Sequence, residues 1–211
     1  MPRLNDLNVD LEKNKMPTGH FSFSSTRIED LGATEYTLCT IVVDISGSTD
    51  GFHAEMEMCL KEVLKACKYS PRCDNLMLRL LVFGTKLEEV HGFKLLSNCN
   101  EKDYDNVLEG HQIGASTALY DASINGVEAT STYGKSLIKQ DFSANGIVVV
   151  ITDGMDNAST FPVSAVQQKL KEAVSQENLE SLVSILVGIN INDQYAKASL
   201  QGFVSSAGFT Q

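Results

Sequence analysis

The sequence predicts an α/β fold: three layers around a doubly wound, mostly parallel sheet with one antiparallel edge strand. Two observations carry this. Apolar runs rich in β-branched residues at 37–44 and 147–151 have the character of buried strands, and 182–188 reads as a further strand. Between them lie segments with apolar residues at helical spacing, and strands alternating with helices wind a parallel sheet between helical layers. With 211 residues, 43% of them hydrophobic and only 4 Pro, the chain is long enough to bury a core without cross-links.

Taken in order, residues 1–20 are polar, broken by Pro17 and Gly19, and are expected to be weakly ordered. Residues 21–211 are expected to form one domain. Phe21 to Ile28 alternates in part and reads as a short edge strand. Residues 37–44 (TLCTIVVD) read as a buried strand. Phe52, Met56, Leu60, Val63 and Cys67 then recur at helical spacing, which predicts an amphipathic helix over 52–69. Residues 76–83 (LMLRLLVF) give a second strand, and Gly84-Thr85 turns the chain into a third at 86–95, antiparallel to it. Residues 97–116 are polar and turn-rich. A helical pattern starts at Thr117 and runs through Ala129, and 133–145 reads as loop. Strand 147–152, helix 163–176, strand 182–188 and a helix near 194–206 complete the series.

The net charge is −10. Without a basic stripe, such a chain is a poor match for nucleic acid or for an anionic membrane. No apolar run approaches the roughly 20 residues that span a bilayer. The N-terminus lacks the apolar core of a secretory signal. Five Cys, an odd number without paired spacing, point to reduced thiols in a cytoplasm. Cys59, Cys67 and Cys73 have neither the spacing nor the His partners of a zinc site. A monomer is the expected state.

The chemistry concentrates where strands end. Asp44-Ile45-Ser46-Gly47-Ser48 delivers one carboxylate and two hydroxyls at the end of the 37–44 strand, with Gly47 expected to let the backbone turn so that the oxygens converge. Asp153 ends the 147–152 strand. Between them, Gly114-Ala115-Ser116-Thr117 brings a threonine hydroxyl to a helix entry, where capping that helix is its ordinary use. In doubly wound sheets, ligands bind beyond the carboxyl ends of the strands, where strand order reverses. Asp44, Ser46, Ser48, Thr117 and Asp153 face one crevice there if their strands are neighbours. Clustered oxygens without His or Cys suit a hard cation, Mg²⁺ before Ca²⁺ or Mn²⁺.

Asp44-x-Ser46-x-Ser48, Thr117 and Asp153-Gly154, with the surrounding GxxTALYDA and TDGxDN text, resemble the metal-ion-dependent adhesion site of von Willebrand factor A domains, the family that includes integrin I domains. The resemblance covers about 37–211 and looks most like small bacterial and phage members. It implies that Ser46 and Ser48 bind the metal directly, that Thr117 joins them in the ligand-competent state, and that Asp44 and Asp153 act mostly through water or hydrogen bonds. Such a site leaves the cation's charge largely unquenched, so it can take an Asp or Glu from a partner protein. Ser116, Asp121 and Asp156 are candidates for the supporting shell.

Two departures stand out. Thr49-Asp50 follows the motif where bacterial members often carry Met; Asp50 reads as a carboxylate favoured where the next helix starts. The family also continues through a last strand and helix, so the chain is expected to be truncated, or a variant whose N-terminal segment replaces that helix. Two other functions are the alternatives. A metal-assisted hydrolase lacks a placed base, since His20, His53, His91 and His111 are scattered, and no enzyme is expected. Gly134-Lys135-Ser136 resembles the end of a phosphate loop but lacks its first Gly and its strand. A purely structural domain with an empty site is the other alternative.

Overall fold

The computed structural model describes residues 11–189 and 194–211, apart from Thr18 and His20. Seven strands form one sheet in the order β1-β2-β5-β4-β3-β6-β7. They are β1 (Leu11–Lys15), β2 (Ser22–Thr26), β3 (Glu35–Asp44), β4 (Leu76–Phe83), β5 (Leu87–Leu95), β6 (Ser143–Thr152) and β7 (Ser181–Gly188). The helices are α1 (His53–Tyr69), α2 (Leu119–Ile138), α3 (Val163–Ser175) and α4 (Gln194–Ala207).

β3 lies between β4 and β6 and runs parallel to both. From β3 the chain crosses by α1 to β4, turns antiparallel into β5, and returns by α2 to β6 on the other side of β3. Strand order therefore reverses between β3 and β6, and Asp44 and Asp153 end up at the same edge of the sheet. Alternate side chains of β3 serve two cores. Leu38 and Val42 pack with α2 residues such as Ala122 and Val127, while Cys39, Ile41 and Val43 pack with Met56, Leu60 and Leu64 of α1. The segment after β5 joins the α1 layer through Leu96, Tyr104 and Leu108.

The mostly parallel three-layer architecture agrees with the sequence, and four local details differ. Residues 11–15, in the stretch expected to be weakly ordered, form β1 and pair antiparallel with β2; residues 1–10 lie outside the described residues. β2 is consequently not the edge strand. It joins β5 in parallel at Ser25 and Phe93, and the antiparallel β5 becomes an interior strand. Gly92 makes that junction possible, because a Cβ there would lie 2.1 Å from the Ser24 carbonyl oxygen.

The third and fourth differences fall in 133–145, where the sequence pattern predicts a loop. α2 continues to Ile138, because Tyr133 and Leu137 extend its buried stripe beyond Val127 and Thr130. Gly134 sits inside the helix because Leu179 and the Asn178 carbonyl press against it. The Gly134-Lys135-Ser136 triplet is thus helical. β6 also starts early, at Ser143, and its polar first residues pair with Glu35 to Leu38.

Beyond β7, the chain's last residues run along that strand's outer edge, with Gln211 N–H donating to Ser184 O and Leu186 N–H to Gln211 O.

Candidate metal-binding site

β3 ends at Asp44, whose side chain is fully buried. Its Oδ1 accepts the Ser46 N–H at 2.9 Å and its Oδ2 accepts the Thr152 hydroxyl at 2.6 Å. The first bond folds the chain back locally, as Asp side chains do at turns. Residues 47–49 then form a 3₁₀ turn, closed by Thr49 N–H and the Thr49 hydroxyl, both donating to Ser46 O.

Gly47 was expected to let the backbone turn so that the oxygens converge; the turn forms and they do converge, without a positive φ at Gly47. Its smallness serves a close approach instead. A Cβ would lie 3.2 Å from the Ala115 Cβ, and Gly47 N–H donates to Ala115 O at 2.9 Å. The loop carrying Ser46 and Ser48 is thereby fastened to the loop carrying Thr117.

Thr117 is not the cap of α2. The N-cap of α2 is Ala118, which makes no side-chain cap bond. The free N–H groups of the first turn are met from across the fold: Tyr120 and Asp121 N–H each donate to Ser159 Oγ at 3.0 Å. The Thr117 hydroxyl is therefore released from capping, and it donates to Ser46 Oγ at 3.0 Å. Ser46 and Ser48 Oγ are 3.2 Å apart, and Ser48 Oγ donates to Asp153 Oδ1 at 2.9 Å. Because Ser46 accepts from Thr117, its one hydroxyl proton is free to go to Ser48. The order Thr117, Ser46, Ser48, Asp153 then satisfies every hydroxyl and ends on a carboxylate.

Thr117 and Ser46 are buried, Asp153 is half-buried, and Ser48 is exposed, so the cluster opens to solvent on one side. Burial raises the Asp44 carboxyl above its ordinary range, bonds from Thr152 and Ser46 pull it back, and the nearby Asp153 charge raises it further. Two carboxylates and three hydroxyls thus meet at one strand-end crevice. Among the described residues, no group of three or more His, Cys, Asp and Glu is arranged for a metal.

The structure also places the supporting candidates. The Asp121 carboxylate accepts Thr160 N–H and Phe161 N–H at 2.9–3.1 Å, and Asp156 bonds the Ser159 hydroxyl. Ser116 is exposed and its N–H donates to Thr85 Oγ1. Asn157, the last residue of the TDGxDN text, accepts Thr117 N–H at 2.8 Å through its Oδ1. Of the histidines, His53 contacts Thr49 Oγ1, His91 is buried against Tyr104, and His111 Nε2 donates to Val107 O; His20 lies outside the described residues. Among the described residues, no helix is long and apolar enough to cross a membrane.

No protein-family model matches the chain, and no curated protein matches its sequence. Solved structures do resemble it. The PilB minor pilin from Streptococcus sanguinis superposes with a TM-score of 0.51 at 12% identity, over 87% of this chain and 58% of the pilin. Manganese-loaded Plasmodium vivax TRAP protein gives 0.51 at 19% identity, over 79% of this chain and 63% of that one. An aerotolerance-related membrane protein from Bacteroides fragilis, solved with multiple mutations to serines, gives 0.50 at 15% identity, over 82% and 89%. The chain thus spans little more than half the length of the pilin. At these identities the likeness concerns architecture: the chain has a fold like that of von Willebrand factor A domains.

Proposed function

We propose that this protein is a metal-dependent protein-binding module, holding Mg²⁺ at Ser46, Ser48, Thr117, Asp44 and Asp153 and using it to capture an Asp or Glu side chain of a partner. The observation that carries this reading is the spacing of the oxygens. Adjacent ligands of an octahedral ion bound at about 2.1 Å lie about 3.0 Å apart. The Thr117–Ser46, Ser46–Ser48 and Ser48–Asp153 separations of 3.0, 3.2 and 2.9 Å match that edge. The bound ion would supply a positive charge at the open face of the cluster.

The chain's own residues do the rest. Ser46, Ser48 and Thr117 offer neutral oxygens that leave such a charge largely uncompensated. Asp44 is turned inward, its two oxygens occupied by Ser46 N–H and the Thr152 hydroxyl, so it orients the loop and contributes field. Exposed Ser48 marks the side from which a partner's carboxylate approaches. That the similar TRAP protein was solved loaded with manganese is in keeping with this reading.

Thermal unfolding with and without Mg²⁺ or Mn²⁺ tests it, since a cation that binds the native state raises its stability by mass action. The expected result is a concentration-dependent rise in Tm that EDTA reverses and Ser46→Ala abolishes. Superimposable melting curves in chelator and in millimolar Mg²⁺ and Mn²⁺ would reject the metal. Chelator-sensitive capture of a partner, lost when the partner's acidic residues are made amides, tests the second half.

A further inference from the structure

The loop from Asp153 to Phe161 joins two parts of the candidate site, and it grips the start of α2 at both levels of the backbone. Asn157 Oδ1 accepts Thr117 N–H at 2.8 Å, while Thr117 O accepts Asn157 N–H at 2.9 Å and Ala158 N–H at 3.1 Å. One turn on, Ser159 Oγ takes the Tyr120 and Asp121 N–H groups, and the Asp121 carboxylate takes the Thr160 and Phe161 N–H groups in return. The arrangement does for α2 what a capping box does within one chain segment, with partners some forty residues away.

A threonine just before a helix whose N–H groups are unmet would turn its hydroxyl onto them. Here those groups are already satisfied by Ser159, and Asn157 holds both the N–H and C=O of Thr117 in place. Only the hydroxyl is left over, and it points at Ser46.

We propose that Asn157 is a positioning residue for the metal site, which holds Thr117 so that its hydroxyl faces Ser46 rather than capping α2. The proposal rests on the metal-binding reading above. It makes Thr117 and Asp153 move as one unit, because the clasp joins the loop that Asp153 begins to the residue that Thr117 occupies.

The test is a double-mutant cycle on the full chain with Mn²⁺ alone as probe, its affinity and line shape read by electron paramagnetic resonance. Asn157→Ala is expected to weaken Mn²⁺ binding about tenfold or more, the usual cost of losing a group that orients a ligand. In a Thr117→Ala background the same change is expected to have less than a twofold effect, because its target is gone. A merely structural role would cost the same in both backgrounds, and that result would overturn the proposal. So would wild-type affinity in Asn157→Ala, while Ser46→Ala still abolishes binding; the metal reading would then stand without it. If the wild-type chain binds no Mn²⁺, both fall together. Should Asn157→Ala not fold, Asn157→Ser, whose side chain is too short to reach Thr117 N–H, serves the same cycle with the same expected and overturning results.

Discussion

Thr152 Oγ1 donates to Asp44 Oδ2 at 2.6 Å, a buried bond that ties the ends of the adjacent parallel strands β3 and β6. It also occupies the side of Asp44 that would otherwise have to be hydrated. Burial still disfavours the ionised carboxyl, and Asp153 adds to the penalty. Without a cation, Asp44 is thus a charge the fold holds at a cost. Asp44→Asn removes the charge and keeps an acceptor for Ser46 N–H, and the Thr152 hydroxyl can rotate to accept the new amide N–H. In EDTA the variant should therefore melt at or above the wild-type temperature, and it should show no Mg²⁺-dependent rise. A variant that melts lower in EDTA, yet still responds to Mg²⁺, would contradict both the site and this account of its electrostatics.

Cation size gives a second prediction. The hydroxyl and carboxylate separations of 2.9–3.2 Å suit bonds of the Mg²⁺ or Mn²⁺ length. Ca²⁺, with bonds of about 2.4 Å, needs neighbouring oxygens about 3.4 Å apart if it is held octahedrally, and otherwise takes seven or eight oxygens, more than these five side chains readily supply. Gly47 N–H bonded to Ala115 O and the clasp on Thr117 resist that expansion. Calorimetric titration should rank Mn²⁺ and Mg²⁺ above Ca²⁺. A preference for Ca²⁺ would mean that the loops adjust freely, and the spacing argument would fail.

Gly84 connects the sheet to the site by a close approach. A Cβ on it would lie 2.3 Å from Gly114 O, and its own carbonyl accepts Ala118 N–H at 2.9 Å. Gly84→Ala must push the 113–118 segment, and Thr117 with it. Overpacking of this kind costs about 1–3 kcal/mol, and the cation-dependent rise in Tm should shrink as well. Gly202→Ala in α4 is the control: nothing lies within 4 Å of the added atom. Removing a helix-interior glycine there should stabilise by about 0.5–1 kcal/mol and leave the cation response unchanged. Equal behaviour of the two variants in chemical denaturation would refute the steric reading of Gly84.

How far the sequence could be read depended on the range of the interactions. β3 and β6 were legible because strands buried on both faces must be apolar throughout, as Ile147 to Ile151 are; β7 is as apolar in sequence, yet only Ser184 of it is buried. The five oxygen-bearing residues were legible because strand ends and a helix entry carry them in short motifs. The second half of α2 was not, because Gly134 and Ser136 resemble loop punctuation. Position 134 is a glycine because Leu179, more than forty residues away, leaves no room for a Cβ, and not because the helix ends there. Asn157 stood in the TDGxDN text, but its role was not legible for the same reason, since its partner Thr117 lies forty residues away. The β1–β2 hairpin depends on Gly92 admitting Ser24, a contact between strands that no window of sequence contains.

The last prediction concerns acid, and lies away from the site. His91 is buried on β5, with Nδ1 2.9 Å from Gly92 O and Nε2 2.8 Å from the Tyr104 hydroxyl. A carbonyl oxygen can only accept, so Nδ1 carries the proton and Nε2 accepts from Tyr104. Burial above all, with the positive charges of Lys94 and Arg79, pushes the imidazole down to about 3 from its ordinary value of 6.5. The folded state thus binds a proton less readily than the unfolded one. Neutral His91 favours folding fully above the unfolded value, and its contribution is lost as pH falls from about 6.5 towards 3. At about 1.4 kcal/mol per unit, a few kcal/mol are at stake. His91→Gln cannot gain a proton, so its stability should fall less steeply over that window. Urea denaturation of both proteins at pH 7, 6, 5 and 4 measures this. The wild-type advantage at pH 7 should narrow steadily towards pH 4, whereas parallel stability curves would show that His91 is not what the acid titrates.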